Sequence, residues 1–350
     1  MFDLTKLIRP HILTLIPYAS ARDEYSGEEG IFLDANENPF GTPGLKASFH
    51  RYPDPYQQQL KKRISTIKDV PASQIFLGNG SDEAIDLLIR AFCRPEVDNV
   101  LTFPPTYGMY HVSAHINATE VREALLTEDY HIDLDRAWKQ TGKNTKIAFV
   151  CSPNNPTANL MKRVAVLELI EKFQGIVVVD EAYIDFSPEG SFTEYLTRFP
   201  NLVVLQTFSK AWGMAGLRLG IAFASEEIIR LLNKIKPPYN VNTLTQQKAL
   251  EALEHADQKD QLVAQILEQR EQLKNDLEAL DIVKKVCPSD ANFFLVKVKQ
   301  AAEVFHYLIA EKVIVRDRSK VVLCEGGLRI TVGTAEENHI LVATLKDFNA

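Results

Sequence analysis

The sequence predicts an α/β protein: a large domain built on a mostly parallel sheet flanked by helices, with a smaller α+β domain beside it. Two observations carry that expectation. From Ile75 to Ala224 short apolar runs alternate with segments whose apolar residues recur at helical spacing, as in strands joined by crossover helices. Beyond Pro237-Pro238 that alternation stops, and a long charge-laced helical stretch leads into a short mixed segment. A chain of 350 residues is long enough for two cooperating units.

The first forty residues are irregular and proline-containing, so 1–40 reads as an arm that joins the small domain. The large domain is expected over 41–245. Its strands are placed at Gln74 to Leu77, Asn99 to Phe103, Lys146 to Cys151, Ile176 to Val179, Leu202 to Gln206 and Leu219 to Ala224. Several are continuous hydrophobic runs, as strands buried on both faces are. Between them, Asp82 to Phe92 carries Ile85, Leu88, Ile89 and Phe92 on one helical stripe, and Arg163 to Phe173 carries Val166, Leu167 and Ile170. A helix over Thr245 to Leu280 leads out of the sheet, and 246–350 forms the linking helix and small domain. There, strands at Asn292 to Val298, Val313 to Val315 and Leu328 to Val332 surround a helix near Ala301 to Glu311.

Composition narrows the function classes. Hydrophobic residues make up 45% and charged residues 24%, the balance of a globular protein rather than a disordered one. Lys plus Arg total 39 against 46 Asp plus Glu, a net charge of -7, which supplies no basic footprint for nucleic acid. The 4 cysteines lie far apart without a CxxC pair, so neither a metal site nor a disulfide framework is expected, and a reducing compartment fits. Pro10 and Pro17 bracket an apolar run too short for a secretory signal, and no stretch approaches a membrane span; a cytoplasmic location is the default.

Polar segments follow the strand ends: Pro104-Pro105-Thr106-Tyr107, Ser152 to Pro156, Asp180-Glu181-Ala182-Tyr183 and Thr207-Phe208-Ser209-Lys210. In open α/β sheets ligands bind beyond the carboxyl ends of strands, so these segments are expected to converge. Taken singly, each reads equally as an ordinary surface turn. Lys210 after an apolar strand would be partly desolvated, which favours the neutral amine that forms Schiff bases; a solvated surface lysine is the plainer reading. Asp180, ending the run Ile176-Val177-Val178-Val179, needs a partner to offset its burial, and a pyridinium nitrogen would serve, as would a role as helix cap.

Gly78-Asn79-Gly80-Ser81-Asp82 joins a strand to a helix, and a helix N-terminus of that kind is a ready anion site or a simple cap. As a dinucleotide fingerprint it fails, because Glu83 stands where the third glycine belongs and no acid follows the next strand. Arg218 could add a guanidinium to the same phosphate or form a surface ion pair.

The ordered set Asn36-Glu37-Asn38-Pro39, Arg51-Tyr52-Pro53-Asp54, Gly78 to Glu83, Ser152 to Thr157, Asp180 to Tyr183, Thr207 to Lys210 and Gly216 to Gly220 resembles the pyridoxal-phosphate-dependent aminotransferases of fold type I. Asn36 to Pro39, Arg51-Tyr52-Pro53 and Leu328 to Thr334 most resemble the histidinol-phosphate aminotransferase branch. The resemblance runs nearly end to end. It implies a seven-stranded-type sheet, pyridoxal 5'-phosphate as cofactor, and a homodimer with shared active sites.

Residue by residue, the resemblance implies that Lys210 holds the cofactor and shuttles a proton. Asp180 would keep the pyridine nitrogen protonated, with Asn155 and Tyr183 on the ring O3′ and Tyr107 stacked on the ring face. Ser81, Asp82, Ser209, Arg218 and Tyr52 from a neighbouring subunit would hold the phosphate. Arg329 would take the substrate carboxylate, with Tyr18, Asn36 and Arg316 as further substrate contacts. Tyr18 and Arg316 read equally as a core tyrosine and a surface ion pair. The implied reaction moves an amino group between L-histidinol phosphate and 2-oxoglutarate, both small molecules. An aromatic amino-acid aminotransferase or a threonine-phosphate decarboxylase is the alternative on the same scaffold. Two departures stand out: Ala158 where the family has glycine, requiring either a negative φ or tolerated strain, and Trp212 where phenylalanine is common.

Overall fold

A computed structural model describes residues 3–20, 30–45 and 49–348. The large sheet is built from β1 (Ile75–Asn79), β2 (Asn99–Thr102), β3 (Glu120–Glu123), β4 (Thr145–Cys151), β5 (Ile176–Asp180), β6 (Leu202–Thr207) and β7 (Leu219–Ala224). They lie in the order β1-β7-β6-β5-β4-β2-β3. The pairs from β6 through β3 are parallel, whereas β7 runs antiparallel to both β6 and β1. Successive residues of the central strands face opposite sides: Val177 and Val179 join one core, Ile176 and Val178 the other. Burial on both faces is why these strands read as unbroken apolar runs.

The smaller sheet is wholly antiparallel, in the order β10-β11-β9-β8, from β8 (Val283–Val286), β9 (Phe293–Val298), β10 (Arg316–Asp317) and β11 (Gly327–Thr331). Its core joins Phe294, Val296 and Ile330 to Leu273 and Leu277 of the helix Ala256–Glu278 and Leu341 of the helix Ala335–Asp347.

Several expectations need correction. The helical stretch after Pro238 is two helices, Thr243–Leu253 and Ala256–Glu278, because His255 leaves the helical region (φ -116°, ψ 38°). Val313 and Val315 are not a strand. They pack as apolar loop residues on the small core, and the pairing starts at Arg316. Within the arm, Leu4, Leu7, Ile8 and Ile12 pack against the core of the large sheet, with Arg9 N–H donating to Ala91 O at 3.0 Å. Over this stretch the arm therefore joins the large unit. Among the described residues no helix is long and apolar enough to cross a membrane.

One close approach shapes the site. Gly220 of β7 pairs with Gly78 of β1, and a Cβ on Gly220 would fall 2.1 Å from Ser81 N. Only glycine lets β7 pass directly beneath the start of the helix Ser81–Phe92.

Candidate active site

The strand ends do converge. Gly80-Ser81-Asp82 after β1, Tyr107 after β2, Asn155 after β4, Asp180 and Tyr183 at the end of β5, Ser209 and Lys210 after β6, and Arg218 before β7 line one cleft of about 140 Å³. Arg218 reaches the same edge because its strand is the reversed one.

Asp180 lies at the cleft floor, 2% exposed. Its Oδ2 accepts from the Tyr110 hydroxyl at 2.8 Å and its Oδ1 from Ala182 N–H at 3.2 Å. Burial pushes its carboxyl up to about 6, against the pull of those two donors; Asp82 adds to the rise and Lys210 opposes it. Such a carboxylate is held ready for a cationic partner. Tyr110 is fully buried, its ring stacked on Phe149 (centroids 4.7 Å apart) and meeting Tyr107 edge-on at 5.6 Å.

Lys210 opens into the cleft, with its Nζ 5.4 Å from the centre of the Tyr183 ring. Desolvation by the walls, and then the Arg329 and Arg218 cations, hold its amine below the ordinary lysine range, although Asp180 and Asp82 pull the other way. Burial raises the Tyr183 hydroxyl, so it stays a neutral donor.

One end of the cleft is built around the helix N-terminus at Gly80-Ser81, whose free N–H groups suit an anion. Gly80 has φ +79°, and a Cβ there would meet Arg218 Nη2 at 2.7 Å, so the glycine makes room for the guanidinium across the helix start. Gly80 N–H donates to Arg218 O at 2.7 Å, which fixes Arg218 in a left-handed backbone (φ 55°). Asp82 accepts from Tyr107 Oη at 3.0 Å, and Ser209 Oγ from Thr207 Oγ1 at 3.0 Å.

A wider cleft of about 630 Å³ opens from the first through Tyr107, Asn155, Tyr183 and Lys210. On its far side stand Arg316, Arg318 and Arg329 of the small domain. Arg329 Nη1 donates to Asn155 Oδ1 at 2.7 Å, and its guanidinium lies 5.5 Å from the Phe293 ring centre. Burial lowers the Arg318 and Arg329 pKa values, and the arginines lower one another. No ion pair to a carboxylate is formed by these three among the described residues, so together they make a site for an anion.

Three expected residues lie elsewhere within the chain. Tyr52 stacks on Tyr239 (4.4 Å) beside Asn36 in a separate cavity of about 500 Å³, where Glu37 clamps the Arg51 guanidinium at 2.5 Å and the Tyr52 N–H at 2.7 Å. Tyr18 lines a third cavity with Arg9 and Lys234. Two residues went unread. Tyr110 looks like one more apolar position of the helix Met109–Ile116, and its signal is the Tyr107-x-x-Tyr110 spacing that places a second ring behind the first. Arg318 is signalled by its i+2 spacing from Arg316.

A family profile described as aminotransferase class I and II matches residues 31–345. The chain belongs to that family. A histidinol-phosphate aminotransferase from Cytophaga hutchinsonii is 54% identical over 347 residues, covering 99% of each chain. The solved histidinol-phosphate aminotransferase from Sinorhizobium meliloti in complex with pyridoxal-5'-phosphate superposes with a TM-score of 0.78 at 20% identity, over 97% of this chain and 96% of that one. The L-threonine-O-3-phosphate decarboxylase from Porphyromonas gingivalis gives 0.73 at 25% identity, over 85% and 90%. This aminotransferase is a pyridoxal-phosphate enzyme, and its residues suit the cofactor. A buried carboxylate awaits a cation, an amine of lowered pKa is available for an aldehyde, and a glycine cradle with a guanidinium suits a phosphate.

Proposed function

We propose that this aminotransferase moves an amino group from L-histidinol phosphate to 2-oxoglutarate. The observation that carries the reading is the placement of Arg316, Arg318 and Arg329 around the cleft that opens onto Lys210. One partner of that reaction ends in a phosphate and the other in a second carboxylate, so a site alternating between them needs guanidiniums that serve either anion. When bound, the cofactor supplies an electron sink for the amino carbon. Lys210 Nζ moves the proton at the substrate α-carbon, Asp180 holds the proton on the ring nitrogen, and Asn155 and Tyr183 orient the ring oxygen. Ser81, Asp82, Ser209 and Arg218 hold the phosphate, and Arg329 aligns the substrate carboxylate.

Single-turnover half-reactions with histidinol phosphate, phenylalanine and threonine phosphate test the substrate. Histidinol phosphate should convert the cofactor fastest by at least about 10-fold, the difference of one charge-assisted contact. Faster conversion by phenylalanine, or carbon dioxide release from threonine phosphate, would replace this reading.

The active unit is a cytoplasmic homodimer in which Tyr52 serves the partner's cleft. Half-exposure of Tyr52 and its place in a different cavity from its own chain's cleft support this, as does the exposure of Phe40 (96%) and Ile31 (91%) nearby in sequence. Mixing Lys210→Ala subunits with Tyr52→Phe subunits should restore activity at limiting cofactor above either parent, since one heterodimer site would escape both lesions. Demonstrated exchange without recovery places Tyr52 outside a shared site.

A further inference from the structure

Asp180 depends on a hydrogen bond that none of the ring-contacting residues supplies. Its Oδ2 takes the Tyr110 O–H at 2.8 Å, inside a wholly buried pocket closed by Phe149 and Tyr107. Geometry leaves the Tyr110 hydroxyl little choice. Its ring is clamped by a near-parallel stack (9°) and an edge contact (85°), and beside Asp180 its hydroxyl also meets the buried Cys151 thiol. A hydroxyl so fixed picks one carboxylate rotamer, and Ala182 N–H on Oδ1 secures the other oxygen.

We propose that Tyr110 is the positioning residue of Asp180: it aims the carboxylate at the cofactor's ring nitrogen and, by donating to it, limits how strongly Asp180 competes for the proton held there. The Tyr110 hydroxyl stays protonated, since burial and the adjacent Asp180 both raise its pKa, so the bond always runs from tyrosine to carboxylate. A donor to the charged form makes the carboxylate a weaker base. The proton between Asp180 and the ring nitrogen then rests on nitrogen, where it is needed. The charged and titratable groups facing Asp180 are Asp82 from the helix Ser81–Phe92, Lys210 after β6, Cys151 at the end of β4, and the Tyr107 and Tyr183 hydroxyls. None of the five can replace the Tyr110 bond: Asp82 brings negative charge, the neutral Cys151 thiol donates to Pro153 O, and neither of these tyrosines nor Lys210 hydrogen-bonds Asp180.

The test is Tyr110→Phe in the holoenzyme loaded with cofactor labelled with ¹⁵N in the ring. Phenylalanine keeps the stack on Phe149 and removes only the hydroxyl. The ring-nitrogen resonance should move toward its unprotonated position, cofactor should bind about 10-fold more weakly, and the carboxyl of Asp180 in the cofactor-free protein should titrate at higher pH than in the wild type. In an Asp180→Asn background the same substitution should leave the nitrogen resonance and affinity unchanged. Should Tyr110→Phe fail to fold, 3-fluorotyrosine at position 110, a stronger donor, must shift the resonance the opposite way. An unmoved nitrogen resonance in the folded variant, or an equal loss of affinity with and without the Asp180 carboxylate, overturns the proposal.

Discussion

Arg329 of the small sheet and Asn155, in the turn after β4 of the large one, are joined by a 2.7 Å hydrogen bond from Nη1 to Oδ1. The acceptor end of the Asn155 amide is thereby taken, and its NH₂ end is the group left to offer a cofactor oxygen. In the proposed reaction one guanidinium thus serves two ends of the chemistry. It fixes the orientation of the Asn155 amide and has further donors to present to a substrate.

Replacing Arg329 should therefore damage more than substrate binding. Arg329→Met is expected to lower kcat/KM by roughly 10²-fold or more, the scale of losing a charge-assisted pair. It should also shift the absorbance of bound cofactor even without substrate, because Asn155 is released. Arg329→Lys should rescue little, since one ammonium cannot serve both partners. An unchanged cofactor spectrum in Arg329→Met would show that Asn155 is held by other means.

The lowered pKa of Lys210 gives its covalent chemistry a direction in pH. Attachment of cofactor needs the neutral amine, so its rate rises with pH and levels off above the amine's pKa. Burial is the main cause of the lowering and Arg329 the next, so Arg329→Gln should move the whole profile to higher pH. Stopped-flow absorbance of cofactor addition to the stripped protein measures it. Lys210→Ala should abolish the borohydride-trapped linkage and most turnover; normal turnover with trapping at another lysine would remove Lys210 from the role.

Ala158 answers the question its position raised. It sits at φ +69°, fully buried, with its N–H bonded to Asn154 O and its carbonyl accepting from Asp290 N–H, each at 2.8 Å. Strain of about 1–2 kcal/mol in that backbone region is opposed by the methyl's burial, about 0.8 kcal/mol, and by the roughly 0.5–1 kcal/mol entropy cost of glycine. These terms nearly cancel. Ala158→Gly should change unfolding stability by less than about 1 kcal/mol, whereas Ala158→Val, strained and overpacked, should lose more than about 2. Urea denaturation checks both, and a large gain for glycine would mean the methyl packs poorly.

Glu181 makes stability pH-dependent. Its buried carboxylate accepts from Ser191 Oγ at 2.5 Å, Phe192 N–H at 2.6 Å and Gln206 Nε2 at 3.0 Å, yet desolvation still pushes it up to about 7. The folded state keeps a proton that the unfolded chain sheds near pH 4.5, so stability falls as pH rises from about 4.5 to 7. The group's share is on the order of 3 kcal/mol across that window. Asp180 adds a slope of the same sign up to about pH 6. Glu181→Gln in the cofactor-free protein should flatten the dependence between pH 6 and 7, measured by denaturant titration. A slope equal to wild type would mean Glu181 is ionised throughout.

What could be read from residues alone followed burial. β5 and β7 were legible because both faces are covered and every residue is apolar, up to Asp180 at the very end. β3, Glu120–Glu123, was not, since an exposed edge strand with charged residues carries no apolar pattern. The stop at His255 escaped notice because apolar residues continue at helical spacing on both sides of it. The residues that line the cleft stood out as polar groups at strand ends, but Tyr110 meets Asp180 from inside the core, where a tyrosine looks like packing. The Arg329–Asn155 bond joins the small sheet to a turn of the large domain, and no local spacing announces such a pair.

The reversed strand β7 has a consequence for how the site comes into being. Because β6 and β7 pair antiparallel, Lys210 and Arg218 both lie in the single connection 208–218 between them. The amine and the guanidinium proposed to grip opposite ends of the cofactor therefore belong to one hairpin, whose closure spans few residues and carries little loop entropy. Asp180, Asn155 and above all Arg329 must be gathered from distant parts of the chain, the slower kind of contact to form. During folding the two grips can be set by local pairing before the floor and the far wall arrive. A nascent chain that has completed its hairpin already holds the attachment points, and the remaining strands assemble the chemistry around them.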